Sequence, residues 1–155
     1  MNTPDLPSFW AVIPAAGIGS RMRADKPKQY LQLAGKSILE HTLNCFLDHP
    51  CLRGVMVSLA EDDPFWPALD CARDGRIHIA AGGAERADSV LNALLRLADL
   101  GAGEQDWVLV HDAARPNLAQ SDLDLLLAEL ADDAVGGLLA CLLYTSPSPR
   151  DQRGS

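Results

Sequence analysis

The chain has 155 residues, of which 48% are hydrophobic, and it carries a formal net charge of −8. A chain of this size and composition can bury one continuous core without disulfides or metals, so we expect one globular domain. The acidic balance argues against nucleic acid and anionic membrane as partners, and a phosphate ligand would have to be held by a local cluster of cations.

The N-terminus and the cysteines indicate a cytoplasmic protein that does not bind membranes. Residues Met1–Pro7 lack the basic and apolar regions of a signal peptide, and no apolar run approaches the roughly 20 residues of a membrane span. The cysteines form no Cys-x-x-Cys pair and lack the spacing of a disulfide scaffold. We expect all four to be buried thiols in a reducing compartment: Cys45, Cys51, Cys71 and Cys141.

In the first half of the chain, short apolar runs alternate with a segment of helical period. A strand is predicted at Trp10–Pro14. A helix follows from Ser37, where Ser37 and Glu40 match a capping box ahead of an apolar stripe. Two further strands are predicted, at Gly54–Leu59 and Arg76–Ala80.

The second half repeats this alternation. A helix is predicted to start near Asp88, and its apolar spacing is given by Val90, Leu91, Leu94, Leu95 and Leu97. A strand at Trp107–His111 precedes a helix that begins at Ser121, and a fifth strand is predicted at Ala134–Cys141. Strands rich in Val, Ile and Leu are typical of parallel sheets buried on both faces. We therefore predict an α/β fold with an open, mostly parallel, Rossmann-like sheet and helices on both faces.

Residues 142–155 follow neither period and contain two prolines among small polar residues. We expect residues 1–141 to form a nucleotide-binding α/β domain that is incomplete at its C-terminus, and residues 142–155 to be disordered. The abrupt change is typical of foreign sequence joined to a shortened gene, and a native flexible tail is the alternative.

The first strand runs into a small-residue loop at the place where open α/β sheets bind ligands. Gly17 and Gly19 would permit positive φ and close approach of backbone N–H groups to phosphate oxygens. Cations follow the glycines, and we single out Arg21, Lys26 and Lys28, which stand within eight residues. A tight turn is the structural alternative for the glycines, but the added cations favour a triphosphate-binding loop.

Two more polar segments follow later strands. In Gly82–Ser89, Gly83 could let the backbone approach a base or ribose and Ser89 could bond a ligand, or Asp88 and Ser89 could merely cap the helix.

At the end of the fourth strand, Asp112 could bind Mg²⁺ or a ribose hydroxyl. Arg115 could contact a second phosphate or pair with Asp112 as scaffolding. We expect His111 to be structural.

Together, these segments closely resemble the bacterial 2-C-methyl-D-erythritol 4-phosphate cytidylyltransferases. The resemblance covers about Trp10 to Ala140 and is carried, in matching order, by Pro14–Met22 with Pro27–Tyr30, Gly82–Val90 and Val110–Pro116. It implies a nucleotide-diphospho-sugar transferase-like fold. It also implies transfer of CMP from CTP to methylerythritol phosphate, with release of pyrophosphate, in isoprenoid precursor biosynthesis.

The resemblance also assigns roles to residues. Arg21 and Lys28 would be catalytic, stabilising the pentacoordinate transition state. The nucleotide would be held by Pro14, Ala15, Ala16, Gly17, Gly19, Gly83, Ala84, Ser89, Asp112 and Ala113. Family members usually have Asp where this chain has Ala84, so that contact would use the backbone. Arg115 would bind substrate phosphate or be structural, and Asp112 would also be the ligand of a Mg²⁺ cofactor.

Family members have a second half that grips the acceptor and forms a homodimer, and nothing in this sequence matches it. We therefore expect weak CTP binding and little or no catalysis from the 155 residues alone. Two alternatives stay open from sequence: a cytidylyltransferase for another polyol phosphate such as ribitol 5-phosphate, and a non-catalytic nucleotide-binding or inert fragment with an unpaired sheet edge.

Overall fold

A computed structural model of the protein describes residues 6–17 and 26–140. Its elements, in chain order, are β1 (Phe9–Pro14), β2 (Gln32–Leu33), β3 (Lys36–Ser37), α1 (Ile38–Leu47), β4 (Leu52–Leu59), β5 (Ile77–Ala81), α2 (Arg86–Asp99), β6 (Trp107–Val110) and α3 (Gln120–Leu130). Short 3₁₀ turns cover Lys28–Tyr30, Trp66–Ala68 and Asp70–Arg73. No helix in the described ranges is long and apolar enough to cross a membrane. The tail predicted at 142–155 lies outside them, as does Cys141.

The main sheet is parallel and has the strand order β5-β4-β1-β6, while β2 and β3 form a separate antiparallel hairpin. The chain moves from β1 outward to β4 and β5, and then crosses back to place β6 on the other side of β1. This reversal puts a topological switch point at the carboxyl end of β1, where open α/β sheets bind ligands. The predicted parallel sheet is confirmed.

Residues of β1 alternate between two apolar cores because successive side chains point to opposite faces of a sheet. Phe9, Ala11 and Ile13 pack in the core that α1 and α3 cover, through buried leucines such as Leu43 and Leu123. On the opposite face, Trp10 and Val12 pack with Met56, Ala80, Ala93 and Leu97, the last two from α2. Helices therefore cover both faces, as predicted.

The capping box predicted for α1 is present. The Glu40 N–H donates to Ser37 Oγ at 3.2 Å, and Glu40 Oε2 accepts from the Ser37 N–H at 2.8 Å. Helix α2 begins at Arg86, before the predicted Asp88, because Glu85 is its N-cap residue and the Glu85 N–H donates to Asp88 Oδ2 at 3.0 Å.

Of the apolar residues whose spacing predicted α2, only Leu97 is buried. Leu91 and Leu95 are 55% and 59% exposed, whereas Ser89, Ala93 and Leu97 are buried. These three residues lie four apart, on the side of the helix that faces the sheet.

The fifth strand, predicted at Ala134–Cys141, is wrong over the described residues 134–140, which form no strand. Asp133 Oδ1 accepts the N–H groups of Val135 and Gly136, both at 2.8 Å, and Gly136 has φ of +111°. This turn takes up two donors that a β ladder would need and bends the backbone out of the extended region. Val135 and Leu138 are left 96% and 91% exposed.

The three described cysteines are free thiols that are only half-buried, rather than buried as expected: Cys45, Cys51 and Cys71. Burial is still sufficient to raise the pKa of the Cys71 thiol to about 11. This thiol therefore stays protonated at neutral pH.

Candidate nucleotide site

The three loops singled out in the sequence leave the carboxyl ends of β1, β5 and β6, around the switch point. The first two touch: a Cβ built on Gly82 would lie 2.1 Å from the Cβ of Ala16 and 2.9 Å from the carbonyl oxygen of Leu59. A Cβ on Gly83 would lie 2.1 Å from the Cβ of Asp88. Glycine is therefore required at both positions by close packing against backbone and Cβ atoms.

The loop after β1 is held from inside the protein. The Ala15 N–H donates to the carbonyl of Ser58 at 2.8 Å, which continues the sheet pairing for one residue beyond the strand. The side chain of Gln29, only 7% exposed, donates from Nε2 to the carbonyl oxygens of Ala15 at 2.8 Å and Gly17 at 3.2 Å. No role was predicted for Gln29, although its amide stands inside the motif that contains Lys28.

Gly17 does not use the positive φ that glycine permits; in the described chain, the glycines with positive φ are Gly35, Gly101 and Gly136. A Cβ at Gly17 would meet no atom of the described residues within 4 Å. Residues 6–17 and 26–140 therefore leave the space in front of this position open. Gly19, predicted to behave in the same way, lies outside the described residues.

The turn that follows carries the predicted catalytic Lys28, whose side chain is exposed. The next residue but one, Tyr30, is buried and donates its hydroxyl to Asp63 Oδ2 at 2.7 Å. Burial and this hydrogen bond raise the pKa of the Tyr30 hydroxyl, so it remains a donor. Lys26 Nζ lies 5.8 Å from the ring centroid of Phe65. Arg21, the second predicted catalytic residue, lies outside the described ranges, and its role stays a prediction.

Ser89 lies under the loop after β5 and is 3% exposed. Its Oγ accepts from the Gly83 N–H at 3.0 Å and approaches the Glu85 carbonyl at 3.3 Å, while its own carbonyl accepts from Ser58 Oγ at 2.8 Å. The hydroxyl thus supports the loop backbone, and its contact with a ligand stays a prediction. Ala84, which follows Gly83 in this loop, is exposed.

Asp112, in the loop after β6, is held by two arginines. Its Oδ1 accepts from Arg86 Nε and Nη2 at 3.1 and 2.9 Å, and its Oδ2 accepts from Arg115 Nε at 2.9 Å. The scaffolding alternative for Arg115 is thus the arrangement observed. Partial burial raises the pKa of the Asp112 carboxyl, but the hydrogen bonds and charges of the two arginines outweigh burial and lower it below its usual value.

The sequence analysis predicted no role for Arg86, although one feature of the sequence indicates a partner for it. A cation in the first turn of a helix is disfavoured by the helix dipole, so an arginine at the first position of α2 implies a compensating partner. That partner, Asp112, is 26 residues away and joins the second loop to the third.

The third loop is also anchored to α1. Ala113, predicted to contact nucleotide, is 7% exposed, and its carbonyl accepts from Thr42 Oγ1 at 2.9 Å. His111 Nε2 lies 2.8 Å from the Arg115 carbonyl, and the His111 ring packs edge-on against Phe46. These contacts agree with a structural role for His111.

The donor set limits what metal the site could hold. No group of three or more His, Cys, Asp or Glu residues able to bind a metal occurs in the described part of the chain. Three of the roughly four acceptor positions of the Asp112 carboxylate are taken by guanidinium N–H groups. The residues fit a Mg²⁺ ion that takes one protein oxygen and is otherwise bound by phosphate and water.

A parallel sheet with glycine-containing and cationic loops converging on its switch point defines a nucleotidyltransferase-like α/β domain. Comparison with known proteins identifies the family. The sequence profile described as "IspD: 2-C-methyl-D-erythritol 4-phosphate cytidylyltransferase" matches residues 9–145. The chain therefore belongs to the 2-C-methyl-D-erythritol 4-phosphate cytidylyltransferase family.

Individual relatives agree with this assignment. The chain is 75% identical over 135 residues to the cytidylyltransferase of that name from Pseudomonas putida and 71% identical over 140 residues to that from Pseudomonas aeruginosa. These matches cover 87% and 90% of this chain, and 57% and 60% of the relatives. The chain thus spans less than two thirds of the length of the curated relatives it matches.

Solved structures show the same fold. A crystal structure of 4-diphosphocytidyl-2C-methyl-D-erythritol synthase has a TM-score of 0.75 and 30% identity, covering 90% of this chain and 61% of that one. The Francisella tularensis cytidylyltransferase has a TM-score of 0.67 and 36% identity, covering 82% and 54%.

Proposed function

We propose that the protein transfers CMP from CTP to 2-C-methyl-D-erythritol 4-phosphate and releases pyrophosphate, in isoprenoid precursor biosynthesis. Family membership supports the reaction. The observation that carries it for this chain is that three loops contact one another at the carboxyl edge of the sheet. Gly82 packs on Ala16, and Arg86 bridges to Asp112.

In the proposed reaction, a phosphate oxygen of the acceptor attacks the α-phosphorus of CTP. The new P–O bond forms as the bond to the β-phosphate oxygen breaks, and pyrophosphate leaves with the electron pair. Arg21 and the exposed Lys28 stabilise the extra negative charge of the transition state, because phosphoryl transfer depends mainly on positioning and electrostatics. No covalent intermediate with the protein is needed.

The remaining loop residues hold the nucleotide in this proposal. Phosphates lie against the backbone N–H groups of the loop that begins at Ala15, where no described atom lies within 4 Å of a Cβ placed on Gly17. Base and ribose lie against Gly83, Ala84, Ser89, Asp112 and Ala113, with Ala84 contributing its backbone only. A Mg²⁺ ion brought by the triphosphate would neutralise phosphate charge, with Asp112 as its protein ligand.

The proposal extends to the setting of the intact protein, which we place in the cytoplasm as a homodimer. The matches cover only 57–60% of the relatives, and the rest of each relative has no counterpart in the matched residues of this chain. We therefore expect the 155-residue chain to bind CTP more weakly than a relative of full length, and to release little or no pyrophosphate.

Titration calorimetry of the 155-residue chain with CTP and ATP, each with Mg²⁺, tests the nucleotide part. We expect CTP to bind more tightly than ATP. Lys28→Ala should weaken CTP binding, whereas Lys36→Ala, which removes another exposed lysine from the β2–β3 hairpin, should not. Preference for ATP, or equal effects of the two lysine variants, would contradict the proposal.

A separate assay addresses the chemical step. Pyrophosphate is measured after mixing CTP, methylerythritol phosphate and Mg²⁺ with this chain, and with the Pseudomonas putida relative as a positive control. Turnover by the relative alone is the expected result. Turnover by this chain at a comparable rate would refute the expectation that residues beyond those present are needed.

A further inference from the structure

Gln29 is a buried polar side chain to which neither the sequence motifs nor the proposed reaction gives a role. It is 7% exposed and stands between exposed Lys28 and buried Tyr30. Its amide group has two N–H donors, and both reach backbone oxygens of the loop after β1, at Ala15 and Gly17. Removing these donors would leave two backbone carbonyl oxygens without this partner, which is costly where they are buried.

These two hydrogen bonds decide which way the loop backbone faces. A trans peptide is planar, with its C=O and N–H pointing in opposite directions, and the described residues contain no cis peptide bond. Because the Ala15 carbonyl is turned inward to Gln29, the Ala16 N–H of the same peptide is turned away from the interior. Within the described part of the chain, that N–H makes no hydrogen bond.

The same side chain links the loop to the predicted catalytic cation. Gln29 and Lys28 are neighbours on one 3₁₀ turn, so fixing Gln29 to the loop also fixes the base of the Lys28 side chain. The turn is held on its other side by the hydrogen bond from Tyr30 to Asp63. Loop backbone and lysine are therefore held as one unit.

We propose that Gln29 is a positioning residue for triphosphate binding. Its amide keeps the carbonyl oxygens of Ala15 and Gly17 turned towards the interior. Phosphates therefore meet N–H groups and Lys28 instead of carbonyl oxygens, whose partial charge is negative like that of phosphate. The role rests on the proposed function insofar as CTP is the ligand. The orientation of the loop itself does not depend on which nucleotide binds.

The first test replaces the two donors while keeping the shape. Gln29→Glu faces two carbonyl oxygens with a carboxylate, and Gln29→Met keeps the volume without a donor. We expect both to weaken CTP–Mg²⁺ binding by roughly tenfold to a hundredfold in calorimetry, as expected when buried carbonyls lose their donors. Gln105→Glu, an equal charge change at an exposed position before β6, should leave affinity unchanged.

Lowering the pH separates positioning from a packing defect. A carboxyl beside two carbonyls and out of water has a raised pKa, and its protonated form regains one donor. Relative to the unsubstituted chain and Gln105→Glu at each pH, CTP affinity of Gln29→Glu should recover several-fold between about pH 8 and pH 5.5. Gln29→Met should show no such recovery. Recovery by both variants, or by neither, would overturn the proposal.

Amide hydrogen exchange tests the loop without nucleotide. In folded Gln29→Met, peptides containing residues 15–17 should exchange faster at the Ala15 amide, which is bonded to Ser58, while β4 and α1 peptides keep their protection. Unchanged exchange at residues 15–17 would overturn the positioning role even if CTP binds. If the unsubstituted chain binds no CTP but exchange responds as expected, the proposed nucleotide is wrong and the role of Gln29 stands.

Discussion

Gly17 and Gly82 lie in touching loops but need to be glycine for different physical reasons. A Cβ at Gly17 would meet no described atom within 4 Å, whereas a Cβ at Gly82 would collide with Ala16 and the Leu59 carbonyl. A methyl group at Gly82 therefore disturbs packing within the protein. At Gly17 it would not disturb the packing of the described residues and would face whatever lies in front of the loop.

We predict that Gly17→Ala leaves folding intact and weakens CTP binding by about tenfold, or ~1.4 kcal/mol. The methyl group would meet no atom of residues 6–17 and 26–140 within 4 Å, but it would keep phosphate from the backbone. Thermal unfolding should show an unchanged or slightly raised midpoint, since alanine restricts the unfolded chain. Gly75→Ala, at another open and exposed glycine remote from the loops, is the matched control for calorimetry. Equal CTP affinity in both variants would contradict the assigned place of the phosphates.

Asp112 and its arginines contribute to stability only modestly because all three side chains are partly exposed. Arg86 is 59% exposed and Asp112 43%, and ion pairs of this kind are worth about 0–1 kcal/mol. The sign of their pH dependence follows from the lowered pKa of Asp112. The stabilisation is fully present above the unfolded-state pKa and is lost as the pH falls through the lower folded-state pKa.

We predict that Asp112→Asn lowers the free energy of unfolding by up to about 1 kcal/mol at pH 7. The difference from the unsubstituted chain should shrink as the pH falls below about 4, where the native carboxyl also becomes protonated. Urea unfolding at several pH values measures it. Asp132→Asn, at an exposed aspartate with no ion pair to the described residues, controls for the loss of one charge. If the difference in unfolding free energy grew as the pH fell, the pH dependence would have the opposite sign, and the stabilising role of the Asp112 carboxylate would be refuted.

Residue contacts could be anticipated from sequence only where the partners are near in the chain. The Arg115–Asp112 pair, three residues apart, is one of the two interpretations that the sequence leaves open. Gln29 reaches Ala15, and Arg86 reaches Asp112, across 14 and 26 residues. The Arg86–Asp112 pair depends on the placement of β5 and β6 in the sheet, and the Gln29–Ala15 bond depends on how the chain folds back after β1. Local patterns specify neither.

Among the elements, α1 has a direct connection to the site through Thr42. This residue is fully buried. Its Oγ1, which has one proton to donate, lies 3.0 Å from the Ile38 carbonyl oxygen and 2.9 Å from the Ala113 carbonyl oxygen. The bond to Ala113 fixes the loop after β6 on the helix that the Ser37–Glu40 capping box starts. The position of the third loop thus depends on a helix that carries no predicted ligand contact.

We predict that Thr42→Val, which keeps the shape but removes the donor, destabilises the protein by about 1–2 kcal/mol because the Ala113 carbonyl is left without its partner. Hydrogen exchange of peptides covering residues 111–116 should accelerate more than that of β1. Thr42→Ser keeps the hydroxyl and should preserve protection there, even if the lost methyl lowers global stability. Equal acceleration in both variants would show that packing, not the hydrogen bond, holds the loop.

Elements were predictable where a local pattern and its surroundings agree. The strand at Trp10–Pro14 is apolar throughout and lies between two neighbouring strands, and Ser37 with Glu40 forms a cap using atoms three residues apart. Residues 134–140 are equally apolar, but a strand also needs a pairing partner, and Asp133 turns the chain away. Composition indicates a preference for the extended state, but it does not indicate whether a neighbouring strand is available for pairing.

At the scale of the whole molecule, both outer strands of the described sheet have unpaired edges. Strand β6 is bonded on one side only, to β1. Beside it lies a groove of about 330 Å³ between β6, α3 and residues 137–139, lined by apolar side chains that include Leu118 and Leu126. Val110 is 42% exposed and Leu138 91% exposed next to it. An apolar groove along an open edge favours association with another chain.

We therefore predict that the 155-residue chain self-associates reversibly, with sedimentation velocity showing an average mass that rises above 16.6 kDa as concentration increases. Val110→Lys and Leu138→Lys should each shift the distribution towards monomer, because a buried unpaired lysine opposes edge pairing. Leu33→Lys, at a 50% exposed leucine on the β2–β3 hairpin, carries the same charge away from this edge and should leave the distribution unchanged. A lysine lowers the magnitude of the net charge of −8 and so weakens repulsion between copies. Dispersal by all three variants would therefore contradict the assignment of self-association to the β6 edge.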